Sequence, residues 1–546
     1  MVQFVGWFHK QSEVRKALIF IFFFFMMYYL PWVCVKIICP DDYVTYGYRG
    51  GSLDYLSYLV KMELGRQGLW VYENRFGEEK LEPIHAYYYY LFIGHLARWL
   101  NVSTLEVYYF ISSLTFAVSL WLWWCICRKR ENAIWLFLSI FILYTGLNVF
   151  AKLWNDIIKV EHLYLNSAIL IYVSVIMTGC VGFSHYLLEA IGFMLIYLTY
   201  RDRKNLLYSL IGGFAIGVVH PNLLIVPIVL FTAHCLLFDR RDLVRVLKMN
   251  CLILIGGGVF LVTLFIDYMT IDWIKDWRSQ TGCGRIFGNL VEFVLSCSVV
   301  SLFSFFNLRY ALKSKDKDLQ IAGIWVIPAL LMSVFGDYII GGGREFAMWS
   351  GIGMNILGID YIFRHVNKYK IFIQAFILLL FIVNISVFVC DSKVYYDVNI
   401  HDKEAIANIY SDSKKFIEGL KWLEVHSKDG EVALTTPFTG GRFPLYISYP
   451  RPYIGHFCET LRYYNKLSNV QDILLGGRFY SYIKEDFVTD KELIEYIKAI
   501  RDNKPLSEFD WVVVTPAEVE YLGMKVPGEI VYQNEAIIIS KILKTS

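Results

Sequence analysis

The stretch PDDYVTYGYRGGSLDYLSYLVKMELGRQGLWVYENRFGEEKLEPIH, residues 40–85, decides how the rest of the chain is read. It is polar and rich in carboxylates, yet it lies between an apolar run over 17–39 and an aromatic segment over 86–100. It carries Asp41, Asp42, Asp54, Glu63, Glu73, Glu78, Glu79, Glu82 and His85, with Arg49, Arg66 and Arg75 among them. Those side chains supply acid, base and phosphate-binding chemistry. Leu56, Leu59, Met62 and Leu64 follow Asp54 at roughly helical spacing, which predicts an amphipathic helix opened by Asp54. Trp70 and Tyr72 are amphipathic rings of the kind that collect at a headgroup boundary.

The composition says what surrounds that stretch. Of 546 residues, 56% are hydrophobic, 17% aromatic and only 18% charged, with a mean hydropathy of +0.45. One water-soluble core cannot hide that much apolar surface, so the chain is a polytopic α-helical membrane protein. Basic clusters over 9–16, 128–130, 201–204, 240–248, 313–317 and 364–370 punctuate the apolar segments, and by the positive-inside rule they mark the cytoplasmic face. The spans that fit are 17–39, 104–127, 133–151, 183–200, 205–220, 222–238, 248–266, 290–310, 319–339, 346–363 and 371–389, about eleven transmembrane helices. The N-terminus is then cytoplasmic and the C-terminus extracytoplasmic, in a multi-pass protein of the cytoplasmic membrane. The same parity makes 86–100 an interfacial helix on the outer surface and part of 157–181 a re-entrant or interfacial segment.

Two parts follow: a transmembrane region over 1–390, with a first external loop over 40–103, and an extracytoplasmic α/β domain over 391–546. In the second part 431–436, 449–455, 510–515 and 530–542 read as strands, and 413–423 and 490–501 as helices. The eleven cysteines form no C-x-x-C pair and read as small buried hydrophobes. No nucleic-acid footprint is visible. No internal repeat stands out, which weighs against a transporter built from inverted halves.

The candidate functional residues collect at the outer ends of the spans. Asp54, at a helix start beside lipid, is either a general base or a helix cap. Asp41 and Asp42 either share a divalent ion, Mg or Mn, or sit in a solvated loop. Glu82 and His85 close the loop and either hold a sugar or serve as caps. Arg344 follows Gly341, Gly342 and Gly343 and precedes Glu345. Its planar fork matches phosphate oxygens, the alternative being an ion pair with Glu345. His185 and His220 stand at outer span ends, as ligand groups or as satisfied structural ones. Asp267, Asp272, Asp276, Arg278 and Arg285, with Trp273 and Trp277, form a mixed-charge outer loop.

Several motifs resemble the GT-C class of integral-membrane glycosyltransferases, which use polyprenyl-phosphate sugars as donors. They are Asp54-x-x-x-Tyr58 leading to Lys61-Met62, Gly68-x-Trp70-x-x-x-Asn74, Glu82-Pro83-x-His85, and Gly94-His95-Leu96-Ala97-Arg98. Ser184-His185-Tyr186 and His220-Pro221 look like later landmarks of the same class, although Ser184 stands where a proline is expected. The stretch 431–440 and Tyr453-Ile454-Gly455-His456 are similar to the soluble domain of such proteins.

The resemblance implies a GT-C-like fold and a hexosyl- or pentosyltransferase that moves a sugar, with inversion, from a polyprenyl phosphate to a hydroxyl of a glycan, lipid or protein on the outer face. It places the catalytic base on Asp54 and the lipid-phosphate contact on Arg344. Some members of the class need a divalent metal and others do not. The rival readings are a lipid-linked sugar flippase or transporter, and a polysaccharide polymerase or ligase.

Overall fold

The structure, a computed structural model, describes residues 12–46, 53–130, 133–142, 184–275, 299–327, 343–365, 411–456, 459–481 and 486–544. The expected re-entrant segment over 157–181 and the expected span over 371–389 lie outside them. The apolar runs form helices α1 (Glu13–Ile38), α2 (Leu53–Gln67), α3 (Tyr88–Leu100), α4 (Thr104–Cys127) and α5 (Ala133–Ile142). They are followed by α6 (His185–Arg201), α7 (Leu207–Gly217), α8 (Ile225–Phe238), α9 (Leu243–Thr270), α10 (Val299–Lys313) and α11 (Gly343–His365). Among the described residues three helical stretches are long and apolar enough to cross a membrane: Thr104–Cys127, Pro221–Phe238 and Arg240–Thr270.

The chain divides into two compact units. The first comprises Met1–Leu30, Tyr108–Phe265 and Gly282–Asp391. The second comprises Pro31–Val107, Ile266–Thr281 and Ser392–Ser546.

In the first unit the basic clusters that separate the apolar segments are wired together. Lys129 pairs with Asp202, Arg130 with Asp316, Asp318 and Asp360, and Arg201 with Asp318. Arg203 pairs with Asp242, Lys317 with Asp239 and Arg364 with Asp360. The basic ends of α4, α6 and α11 and the turns beside α9 and α10 therefore share one side, as charge patterning demands of a bundle whose basic loops face one aqueous phase. Helix α7 is thin on two sides. A Cβ at Gly212 would lie 2.5 Å from the Gly192 carbonyl of α6, and one at Gly213 would lie 2.3 Å from the Ile253 carbonyl of α9. Small residues let apolar helices approach backbone to backbone, where dispersion is strongest. Around these crossings Phe193, Met194, Phe231, Ile253, Trp325 and Leu357 form one apolar core.

The second unit is built on the 40–85 stretch. Strand β1 (Tyr43–Thr45) pairs antiparallel with β2 (Ser411–Ser413), and the Lys414 N–H donates to the Asp42 carbonyl at 2.7 Å. Helix α2 buries Leu56, Leu59, Met62 and Leu64 but also Tyr55, Ser57, Val60 and Lys61. The helix expected to be amphipathic is thus buried on nearly every side, and of its described side chains only Arg66 and Gln67, at its end, are exposed. It crosses α3 where a Cβ at Gly94 would stand 1.9 Å from the Met62 carbonyl.

Further along the chain come α12 (Lys414–His426), β3 (Val432–Thr435), β4 (Arg451–Pro452), α13 (Tyr463–Leu475), β5 (Tyr480–Ser481), β6 (Asp486–Phe487) and β7 (Trp511–Val514). The last strands are β8 (Glu529–Gln533) and β9 (Ile538–Lys541). β5 and β6 pair as a small hairpin, and a five-stranded sheet runs in the order β4-β3-β7-β9-β8. β3 is parallel to β4 and β7, while β9 is antiparallel to β7 and β8. The single strand expected over 530–542 is therefore a hairpin, turned where Asn534 accepts from the Ala536 and Ile537 N–H groups. Both faces of β7 are buried, with Val512 and Val514 in one apolar cluster and Trp511 and Val513 in the other. That is why the strand reads as an unbroken apolar run rather than an alternating one.

Candidate functional site

Residues 81–87 are not helical, so Glu82 and His85 are placed by strand-like pairing and not by a helical turn. Tyr72 and Ile84 exchange both backbone hydrogen bonds, at 2.8 and 3.0 Å, which buries Ile84 and turns Glu82 and His85 outward. The tip of α9 and the residues after it then clamp this segment. Trp273 Nε1 donates to the Glu82 carbonyl at 3.0 Å, while Ile271, Trp273 and Ile274 pack with Val60, Leu64, Phe76 and Ile84. Asp267 takes the backbone N–H of His85 on Oδ2 and lies 3.0 Å from His85 Nδ1 through Oδ1. The carboxylate is buried, 5% exposed, while the imidazole side chain is 47% exposed. A buried carboxylate that fixes a half-open imidazole is an arrangement for presenting one ring nitrogen to a ligand.

A second carboxylate–imidazole pair lies in the first unit. Helix α7 ends at Gly217, and His220 is extended, with φ −132° and ψ 82°, because Pro221 denies it the helical region. His220 Nδ1 is 2.6 Å from Glu189 Oε2, and the ring of His185 lies 5.4 Å from that of His220, centroid to centroid. Glu189 is fully buried on α6, one helical turn after His185.

Among the described residues of the second unit, Lys61 and Glu459 form the most buried ion pair. They are 2.7 Å apart, with side chains 1% and 3% exposed. The Glu459 carboxylate also accepts from Ser57 Oγ at 2.9 Å and from the Tyr72 hydroxyl at 2.8 Å. The ammonium lies 3.6 Å from the centre of the Tyr87 ring, a cation–π contact. Burial by itself raises the Glu459 pKa, but the Lys61 and His456 charges and the donated hydrogen bonds outweigh it and hold the carboxyl below its usual range. Tyr72, expected at a headgroup boundary, is instead fully buried because its hydroxyl serves this carboxylate. Trp70 is 48% exposed and stacks on His95 at 3.8 Å.

The structure thus joins Glu82 and His85 to Asp267, and His185 and His220 to Glu189. Asp54 is the second residue of α2, and Arg344 and Glu345 are the second and third of α11; their side chains lie outside the described residues. Asp41 and Asp42 are exposed in the turn before β1. Adjacent carboxylates of that kind suit an ion that keeps most of its waters, such as Mg²⁺, rather than a closed cage. Among the described residues no group of three or more His, Cys, Asp or Glu side chains is arranged to hold a metal ion.

Sequence reasoning gave Asp267 no role beyond a mixed-charge loop and passed over Glu189 and the Lys61–Glu459 pair. The signals were an acid inside an apolar helix and a lysine on an apolar face, both costly unless partnered.

The chain is similar to ArnT. The solved structure of ArnT from Cupriavidus metallidurans bound to undecaprenyl phosphate matches over 97% of this chain and 98% of that one, with 10% identity and a TM-score of 0.47. The apo structure of the same protein matches over 98% and 99%, with 10% identity and a TM-score of 0.46. No family model matches the chain, and no curated protein matches it significantly.

Proposed function

We propose that this protein is a GT-C-type membrane glycosyltransferase that moves a hexose or pentose from a polyprenyl phosphate to an acceptor hydroxyl at the extracytoplasmic face. In an inverting displacement the acceptor oxygen attacks the anomeric carbon as the bond from that carbon to the phosphate oxygen breaks. The hydroxyl proton goes to Asp54, and the electron pair leaves with the polyprenyl phosphate, whose charge Arg344 receives. Glu82, His85, His185, His220 and Glu345 contact the sugars, and Asp41 with Asp42 would hold a divalent cation.

The observation that carries this reading is the His85 imidazole, fixed on buried Asp267 and left half open by the 40–103 stretch. Moving a lipid-linked sugar across a membrane has little use for a proton-exchanging ring locked in one orientation, whereas a transfer reaction needs its hydroxyls placed to a fraction of an ångström.

The test is transfer by the full-length protein in liposomes supplied with polyprenyl-phosphate sugars. Undecaprenyl phosphate, the lipid held by the ArnT structure, is the first carrier to use. Asp54→Asn should abolish product while donor binding persists. Near-normal turnover by that variant would remove Asp54 from the reaction, and donor translocation without product would replace transfer by transport.

A further inference from the structure

We propose that Asp267 is a positioning residue that locks His85 in the tautomer with its hydrogen on Nδ1, so that Nε2 accepts a hydrogen bond from a substrate hydroxyl. A carboxylate can only accept, and a backbone N–H can only donate. Because Asp267 Oδ2 is taken by the His85 N–H, Oδ1 alone faces Nδ1 at 3.0 Å, and Nδ1 must carry the hydrogen. A neutral imidazole has one N–H, so Nε2 is left with its lone pair. Among the described residues the ring makes no other hydrogen bond, and its side chain is 47% exposed.

The segment has little freedom to reorient the ring. The Tyr72–Ile84 bridge holds one end of it, and Trp273 holds the Glu82 carbonyl. An acceptor nitrogen selects the ligand. The phosphate of an intact lipid-linked sugar is a diester with no hydrogen to give, so Nε2 faces a hydroxyl and not the donor phosphate. That the hydroxyl belongs to a saccharide rests on the glycosyl-transfer reading, whereas the tautomer does not.

The same geometry dictates what Asp267→Asn does. The His85 N–H still requires an oxygen, so the new amide nitrogen lands on Nδ1 and donates to it. The ring must then move its hydrogen to Nε2. An isosteric change thereby turns an acceptor into a donor without emptying the site.

The experiment is nitrogen-15 NMR of the full-length protein labelled at histidine, at a pH where the ring is neutral, with His85→Gln identifying the His85 signals by subtraction. Wild type should show a protonated Nδ1 and an unprotonated Nε2, and Asp267→Asn should show the reverse. Titration with methyl hexopyranosides should move the wild-type Nε2 signal, and dimethyl phosphate, a diester with no hydrogen to donate, should leave it. In the transfer assay Asp267→Asn should lower kcat/KM by roughly tenfold to a hundredfold, the effect of reversing the bond so that the substrate hydroxyl must turn and accept instead of donate.

A wild-type ring protonated on Nε2 would overturn the proposal without any variant having to fold. So would a tautomer unchanged in Asp267→Asn, or an Nε2 signal that follows dimethyl phosphate and ignores the glycosides. Loss of all transfer activity in wild type, with the NMR results as expected, would instead sink the glycosyltransferase reading and leave His85 as a hydroxyl-binding group.

Discussion

Replacing Lys61 with methionine keeps an unbranched side chain shorter by the terminal nitrogen and removes its charge, leaving Glu459 buried without its cation. Breaking a buried pair from one side costs about 3–5 kcal/mol. Here the Glu459 carboxylate keeps the donors of Ser57 and Tyr72, at 2.9 and 2.8 Å, so the low end applies, about 3 kcal/mol. The consequence is local, because the pair joins α2 to the residues just before α13 within the second unit. Hydrogen-exchange mass spectrometry reads it directly. Where amides exchange through opening of that unit, about 3 kcal/mol makes peptides from 53–67 and 463–475 exchange roughly 140-fold faster.

The double variant Lys61→Met with Glu459→Gln removes both charges while keeping a carbonyl acceptor for one of the Ser57 and Tyr72 hydroxyls and offering the other an N–H to accept. It should return to within about 1 kcal/mol of wild type, because a neutral pair incurs no charge desolvation. Two results would refute the reasoning: exchange in Lys61→Met within twofold of wild type, or a double variant no better than the single one.

Three further outcomes follow from the same structure. Because the folded Glu459 pKa is depressed, the stability it contributes is present above the unfolded value of about 4.3 and lost as pH falls through the folded one. Melting curves across that range should show an acid-side loss in wild type that is reduced in Glu459→Gln. Gly94→Ala puts a methyl group 1.9 Å from the Met62 carbonyl and must spread α2 from α3, with an expected cost of about 1–3 kcal/mol in urea titrations; an unchanged midpoint would mean the helices do not cross there. Mass spectrometry of co-purifying lipids should find a polyprenyl-phosphate sugar in wild type that Arg344→Ala loses, and equal recovery from both would separate Arg344 from the phosphate.

Local pattern made α2 and the ends of the apolar helices legible. Leu56, Leu59, Met62 and Leu64 announced the helix through spacing alone, because helical periodicity is a property of consecutive residues, but not that Ser57 and Lys61 would be buried with them. The basic clusters marked one side of the bundle, and their ion pairs join them there, because charge must return to water wherever the chain turns. His85 was visible as a polar group closing the first loop before the aromatic segment, and His185 and His220 as polar groups at span ends.

What no stretch of sequence contained was the partner of each. Asp267 is 182 positions from His85, Glu189 is 31 from His220, and Glu459 is 398 from Lys61. Those pairings were decided by tertiary structure: by glycines that let α2 meet α3, by the β1–β2 pair that brings the C-terminal residues to the first loop, and by the apolar clamp of Ile271, Trp273 and Ile274. The sequence determined which side chains need a partner, since an unpaired charge or imidazole in an apolar setting is expensive wherever it sits. Only the fold determined which partner each received, because that choice depends on distances between segments that the local pattern does not encode.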